Sequence, residues 1–259
     1  MNPVTTTALA APAPVALVTG GSRGIGAATC LLAAQRGFAV AVNYAANTAA
    51  AEAVVRQIRD AGGRAIAVRG DVALEADILR VFKTVDDQLG RLTALVNNAG
   101  VVDVASRVEA MSAARLKRMF DINIVGSFLC AREAVLRMST KHGGAGGAIV
   151  NLSSVAARLG GPGQYVDYAA SKGAIDTFTT GLAKEVATEG IRVNAVRPGI
   201  IDTDIHASGG EPDRARLLAP LVPVQRPGTA MEVAQAIVWL MTEESSYCTG
   251  AFIDVAGGR

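Results

Sequence analysis

The chain has only two histidines, His142 and His206, and three cysteines, Cys30, Cys130 and Cys248. No Cys/His cluster has zinc spacing, which argues against a His/Cys metal site. An odd number of widely separated cysteines makes a poor disulfide framework, so a reducing, cytoplasmic setting is expected. An excess of charge of one sign is also missing. The 25 basic and 23 acidic side chains nearly cancel and no long basic run occurs, which leaves no electrostatic basis for nucleic-acid binding. No apolar stretch reaches the roughly 18–20 residues of a membrane span, so no membrane association is expected. The N-terminus through Pro14 is rich in Ala, Thr and Pro and lacks a basic n-region. Residues 1–13 therefore read as a flexible lead-in rather than a signal peptide.

What the chain does have is apolar material in a regular alternation. Half of its 259 residues are apolar, enough to bury a sizeable core. Short apolar runs start at Val15, Ala39, Ala65, Ala94, Ala148, Val193 and Phe252, and read as strands buried on both faces. Helical patterns lie between them: Ala27 to Arg36, Thr48 to Ala61 with a threonine cap, Glu75 to Leu89, Ser112 toward Met138, and residues 165 to 188. Thr229-Ala230-Met231-Glu232 has the form of a capping box opening a further helix to about Met241. The glycine cluster Gly143 to Gly147 reads as a loop. Strand–helix alternation without an interior linker predicts an α/β, Rossmann-type, doubly wound parallel sheet of about seven strands, in one domain over residues 14–259.

The first strand runs into Thr19-Gly20-Gly21-Ser22-Arg23-Gly24-Ile25-Gly26 and then into a helix. That is the context a dinucleotide site requires. Glycines there can take positive φ and admit a phosphate, which the helix N-terminus attracts. A tight turn that only packs helix on strand is the competing reading. Cofactor choice turns on the end of the second strand, where NAD sites tend to carry Asp or Glu. Here stand Asn43, Tyr44 and Ala45, and Arg23 offers a charged fork to a 2′-phosphate. NADP is favoured over NAD, with a solvated loop cation as the alternative reading of Arg23.

Tyr168 and Lys172 are four residues apart in a helical stretch, hence on one face. A nearby ammonium favours a phenolate, and the pair suits proton transfer to a carbonyl or alcohol. Tyr165 has Ala169 four residues on and so lacks that partner. Ser153 and Ser154 end the fifth strand, at the sheet edge where open α/β folds bind ligands. Asn123, in an apolar stretch, needs hydrogen-bond partners if buried, either a relay water or a backbone group.

Taken in order, these motifs resemble the short-chain dehydrogenase/reductase family from about Val15 to Gly258. The resemblance rests on the glycine turn, Gly70-Asp71-Val72, Asn97-Asn98-Ala99-Gly100, Asn123, Ser153-Ser154, Tyr168-x-x-x-Lys172 and Arg197-Pro198-Gly199. The chain is similar to bacterial glucose dehydrogenase and 3-oxoacyl-carrier-protein reductase-like members. The resemblance implies that Tyr168 is the proton donor or acceptor and that Lys172 lowers its pKa and holds the nicotinamide ribose. It implies that Ser154 polarises the carbonyl and that Asn123 holds a water linked to Lys172. Asp71 and Val72 would flank the adenine, and Asn98, Ala99 and Gly100 would line the cofactor. Pro198, Gly199, Ile201 and Thr203 would contact the nicotinamide. It further implies a homo-oligomer, tetramer or dimer. One departure stands out: the family's serine commonly lies about 13 residues before the tyrosine, whereas Ser154 lies 14 before and Ser153 15 before. Ser154 is taken as the active serine, with Ser153 as runner-up.

Residues 200–220 read as a cover over the substrate, with His206 a candidate contact. Arg158, Arg214 and Arg216 are candidates only for an anionic substrate. The expected function is hydride transfer between a nicotinamide and a small carbonyl or alcohol. A cofactor-binding sensor or interaction module without turnover is the alternative.

Overall fold

Val15–Val18 is apolar and buried at every position, which places this strand, β1, inside a sheet covered on both faces. The computed structural model describes residues 13–204 and 209–259. His206 and most of the expected lead-in therefore lie outside the described residues. After β1 come α1 (Gly24–Gln35), β2 (Ala39–Tyr44), α2 (Thr48–Asp60), β3 (Ala65–Arg69), α3 (Glu75–Gln88) and β4 (Ala94–Asn97). Then follow α4 (Ala113–Phe120), α5 (Gly126–Met138), β5 (Gly147–Leu152), α6 (Ala156–Leu159), α7 (Val166–Val186) and β6 (Ile191–Pro198). Two-residue strands β7 (Ile201–Asp202) and β8 (Gly228–Thr229) pair with each other, around α8 (Arg214–Leu218). Helix α9 (Ala230–Met241) leads to β9 (Phe252–Val255).

The main sheet has seven parallel strands in the order β3-β2-β1-β4-β5-β6-β9. Alternate residues of β1 enter different cores. Ala16 and Val18 pack with Val54, Ile58, Val233 and Ile237 on one face. Val15 and Leu17 pack with Val81, Phe82 and Ile149 on the other. Strand order reverses between β1 and β4, so a cleft opens at their C-terminal ends, where ligands bind in such sheets.

Local signals are kept with two adjustments. The capping box of α9 forms, with Thr229 and Glu232 bonding each other's backbone. In α2 the cap is Asn47, one residue before the expected threonine, and its side chain accepts from the Ala50 amide at 3.0 Å. The helical stretch opening at Ser112 is interrupted by a π-turn at Asp121–Val125 between α4 and α5. Such a turn inserts one residue's worth of backbone and re-aims a side chain; here the buried residue within it is Asn123.

Candidate active site

The glycine turn is stitched to the end of β4. The Thr19 hydroxyl donates to the Val96 carbonyl at 3.3 Å and accepts from the amides of Asn98 and Ala99, each at 3.0 Å. The Asn98 side chain donates back to the Thr19 and Gly20 carbonyls at 2.8 and 3.0 Å. Gly20 and Gly24 both have positive φ, at 62° and 52°. A Cβ on Gly26 would sit 2.3 Å from the Gly20 carbonyl oxygen, so only glycine allows helix and turn to approach so closely. Helix α1 starts at Gly24 with no side chain capping it and no acidic residue in its first turn. Its leading amides and positive dipole end thus face the cleft, a donor set that fits a phosphate.

Around the turn, Arg23 is exposed and Ser22 and Ile25 are partly buried. Asn43 is turned inward: its amide donates to the Val68 and Gly70 carbonyls at 3.2 and 3.0 Å, and its oxygen accepts from the Gly20 amide at 3.4 Å. Tyr44 packs into the core. Asp71 accepts from the Ala73 amide at 2.9 Å and so shapes the turn after β3, next to the buried Val72. Asn43 and Asp71 thus do their visible work on the backbone around the cleft.

Helix α7 carries Tyr168 and Lys172 together, as their spacing predicts. Its N-terminus is anchored by a feature that sequence reasoning missed. Asp167, buried, pairs with Arg115 of α4 at 2.7 Å and accepts from the Tyr168 amide at 2.9 Å. An Asp beside a helical tyrosine and an Arg 52 positions upstream give no linear signal of this pairing.

The structure separates the two serines. Ser154 is the side chain that acts on the Tyr168 hydroxyl, favouring its ionised form, and its own oxygen accepts from the Ala156 amide at 3.1 Å. Ser153 lines the same cavity, but its hydroxyl is engaged by Asp176, to which it donates at 2.6 Å. Asp176 is held in turn by Arg197 at 2.8 Å.

The electrostatics depart from the expectation of a phenol acidified by lysine. Burial pushes the Tyr168 pKa above the ordinary tyrosine value, and the Ser154 hydrogen bond only partly opposes it. Lys172 lies with its ammonium 5.6 Å from the centre of the Tyr168 ring and donates to the Leu152 carbonyl at 2.6 Å. Burial lowers the lysine pKa to about 8, against the opposing charge of Asp176. Desolvation disfavours the charged form of each group and here outweighs any mutual help.

Asn123 meets a backbone group, one of its two expected uses. Its oxygen accepts from the Val101 amide at 2.8 Å and its nitrogen donates to the Val101 carbonyl at 3.0 Å and to Ser171 at 3.1 Å. Gly100 lies between: a Cβ there would come within 3.5 Å of the Asn123 oxygen and 3.6 Å of the Lys172 nitrogen.

Ser154, Tyr168 and Lys172 border a cavity of about 350 Å³ that also reaches Ile25, Asn98 and Gly100, and Pro198, Gly199, Ile201 and Thr203 after β6. Of the three arginines considered for an anionic substrate, Arg214 lines this cavity and pairs with Glu211. Arg158 pairs with Asp254 at 2.7 Å, and Arg216 pairs with Asp213 on an exposed face. Cys30, Cys130 and Cys248 are free thiols. No described helix is long and apolar enough to cross a membrane.

The model of the short chain dehydrogenase family matches residues 14–213. An uncharacterized oxidoreductase of Escherichia coli, YgfF, is 58% identical over 245 residues, covering 95% of this chain and 99% of the relative. A 3-oxoacyl-[acyl-carrier-protein] reductase of Synechocystis is 41% identical over 247 residues, 95% of this chain and 96% of the relative. A solved short-chain dehydrogenase/reductase from Serratia marcescens superposes with a TM-score of 0.87 at 34% identity, over 95% of this chain and 98% of that one.

Proposed function

The chain belongs to the short-chain dehydrogenase family, and from that premise we propose that it moves a hydride between a nicotinamide dinucleotide and a carbonyl or alcohol carbon, with Tyr168 exchanging the accompanying proton. The observation that carries this reading is the meeting of the Ser154 and Tyr168 hydroxyls at a largely apolar cavity, with the Lys172 ammonium beside them.

The residues act as follows. Ser154 donates a hydrogen bond to the substrate oxygen and fixes its direction. Burial keeps the proton on Tyr168, so in reduction the phenol is a ready acid as negative charge develops on that oxygen. Ser154 then stabilises the phenolate left behind, the form its hydrogen bond favours. Lys172, with a pKa of about 8, carries most of its charge at neutral pH and supports that phenolate from 5.6 Å off the ring centre. Asn123 ties Val101, and through it the Gly100 segment, in place against the lysine. Its relay role toward a water follows from the family resemblance.

The bound dinucleotide supplies or takes the hydride. Gly20, Ser22, Gly24, Ile25 and Gly26 would hold its pyrophosphate, Arg23 its 2′-phosphate, and Asp71 and Val72 its adenine. Asn43 and Tyr44 would border the adenosine ribose, and Asn98, Ala99, Gly100 and Lys172 the other half of the cofactor. Pro198, Gly199, Ile201 and Thr203 would lie against the nicotinamide. Absence of a carboxylate at the end of β2, together with the exposed Arg23, supports NADP over NAD. The exposed apolar residues Val125, Phe128 and Leu136 support the reading that copies of this chain associate, which light scattering would test.

The test of the mechanism is Tyr168→Phe, assayed with NADPH and NADH over ketones, sugars and keto-esters. Expected is a loss of about 100- to 10,000-fold in kcat with cofactor affinity nearly unchanged. Retained turnover on every substrate that the parent protein accepts would overturn it.

A further inference from the structure

We propose that the compound reduced or oxidised at this site also carries a carboxylate, and that Arg259 receives it; this rests on the hydride-transfer reading above. Past β9 the chain passes the buried Ala256 and turns through Gly257 and Gly258, with φ of 62° and 90°. The turn is packed on the segment before α9. The Val224 amide donates to the Gly257 carbonyl at 3.2 Å, and a Cβ on Gly257 would strike Val224 at 2.7 Å. The Arg259 amide donates to the Ala256 carbonyl at 3.3 Å. This backbone brings the Arg259 side chain to the wall of the cavity that Ser154 and Tyr168 border.

One terminal nitrogen of Arg259, Nη1, is buried and has no hydrogen-bond partner among the described residues. The contrast with Arg214, on the same cavity, is instructive. Arg214 is neutralised by Glu211, donates to Gln164 at 2.8 Å and lies 4.9 Å over the Tyr165 ring. Arg259 forms no ion pair with any described residue. A guanidinium does not lose its proton, and a buried donor without an acceptor is costly. Much of the cavity lining, including Val102, Val155, Leu159, Pro162 and Ile200, offers side chains that cannot accept, and none of its polar side chains, Ser154, Gln164 and Tyr168 among them, bonds Nη1. An acceptor brought in by the ligand resolves this, and a carboxylate matches the planar fork with charge-assisted bonds. The apolar walls would then enclose the carbon chain between carboxylate and reacting carbon.

The test uses matched pairs, levulinate with methyl levulinate and 4-acetylbenzoate with its methyl ester. Kinetics with NADPH are joined to calorimetric titration of each compound into protein saturated with NADPH. Arg259→Met should weaken binding of both acids, and raise their KM, by about tenfold or more. Both esters and the NADPH Kd should be unmoved, and Arg259→Lys should recover part of the loss. Equal effects on acids and esters, wild-type preference for the esters, or weakened NADPH binding instead would overturn the proposal. Turnover of esters without any preference for acids sinks this inference alone and leaves hydride transfer standing. Absence of turnover on every carbonyl sinks the hydride-transfer reading, while the titrations still decide whether Arg259 binds carboxylates.

Discussion

Lys172 of α7 donates a 2.6 Å hydrogen bond from its ammonium to the Leu152 carbonyl at the end of β5. The bond pins helix to sheet where the strand stops, and it holds a charged amine in a place where only 5% of the residue is exposed. Position is secured at the expense of solvation.

That expense has a pH signature. Burial lowers the Lys172 pKa from 10.5 to about 8. Below about pH 8 the amine is charged in folded and unfolded chains alike, and the destabilisation is fully present. Between about 8 and 10.5 the unfolded chain binds the extra proton, so stability rises with pH through that window. Above it the penalty is gone. Lys172→Met should therefore stabilise the cofactor-free protein at pH 7 by about 1–2 kcal/mol, the desolvation relief less the lost bond to Leu152. By pH 10 the gain should have faded. Urea denaturation at the two pH values measures it, and an equal difference at both would contradict the assignment.

The adjacent serines should divide catalysis from architecture. Ser154→Ala removes the hydroxyl beside the Tyr168 phenol and should lower kcat by about 100-fold or more, with little change in melting. Ser153→Ala strips Asp176 of a 2.6 Å donor while leaving Arg197 in place. It should cost about 1–2 kcal/mol of stability and alter kcat only a few-fold. Paired kinetics and melts on the two variants check this, and reversed outcomes would exchange the roles of the serines.

The legible parts of the fold are those written in short-range pattern. Strands such as Val15–Val18 are apolar at every position because both sheet faces are covered, and the glycines of the first turn announce where backbone must approach backbone. The face shared by Tyr168 and Lys172 follows from helical spacing alone. What was not legible depends on contacts distant in sequence. The π-turn that aims Asn123 at Val101 leaves no trace in the apolar period of residues 112–138. Spacing leaves Ser153 and Ser154 both open, and only the small apolar Val155 after it favours Ser154, because the deciding partner of Ser153, Asp176, lies 23 residues on. The direction of the Tyr168 shift is not legible either, because adjacency shows a neighbouring charge but not the loss of water around both groups. Arg259 carries no sequence signal, since two glycines with positive φ, rather than any periodic element, bring it to the cavity.

Cofactor preference should rest on Arg23. It stands exposed at the N-cap of α1, and its guanidinium makes no hydrogen bond or ion pair with another described residue. The nearby side chain of Asn43, at the end of β2, is occupied by the Val68 and Gly70 carbonyls, and no acidic residue follows it before α2. A 2′-phosphate entering there meets the Arg23 cation, with Arg69 on the Ala45 carbonyl nearby, and no opposing carboxylate among the described residues between β2 and α2, whereas a 2′-hydroxyl finds no acidic acceptor there. Arg23→Ala should therefore raise the Kd for NADPH by about tenfold to 100-fold, the worth of charge-assisted hydrogen bonds, and the Kd for NADH less than about twofold. The NADPH affinity of the parent protein should also fall more steeply with added salt than that of the variant, since an exposed ion pair is screened. Fluorescence titrations of both cofactors at two ionic strengths provide the comparison. A parallel loss for NADPH and NADH would instead place Arg23 on the pyrophosphate that the two share, and the preference would have to come from elsewhere on the cleft.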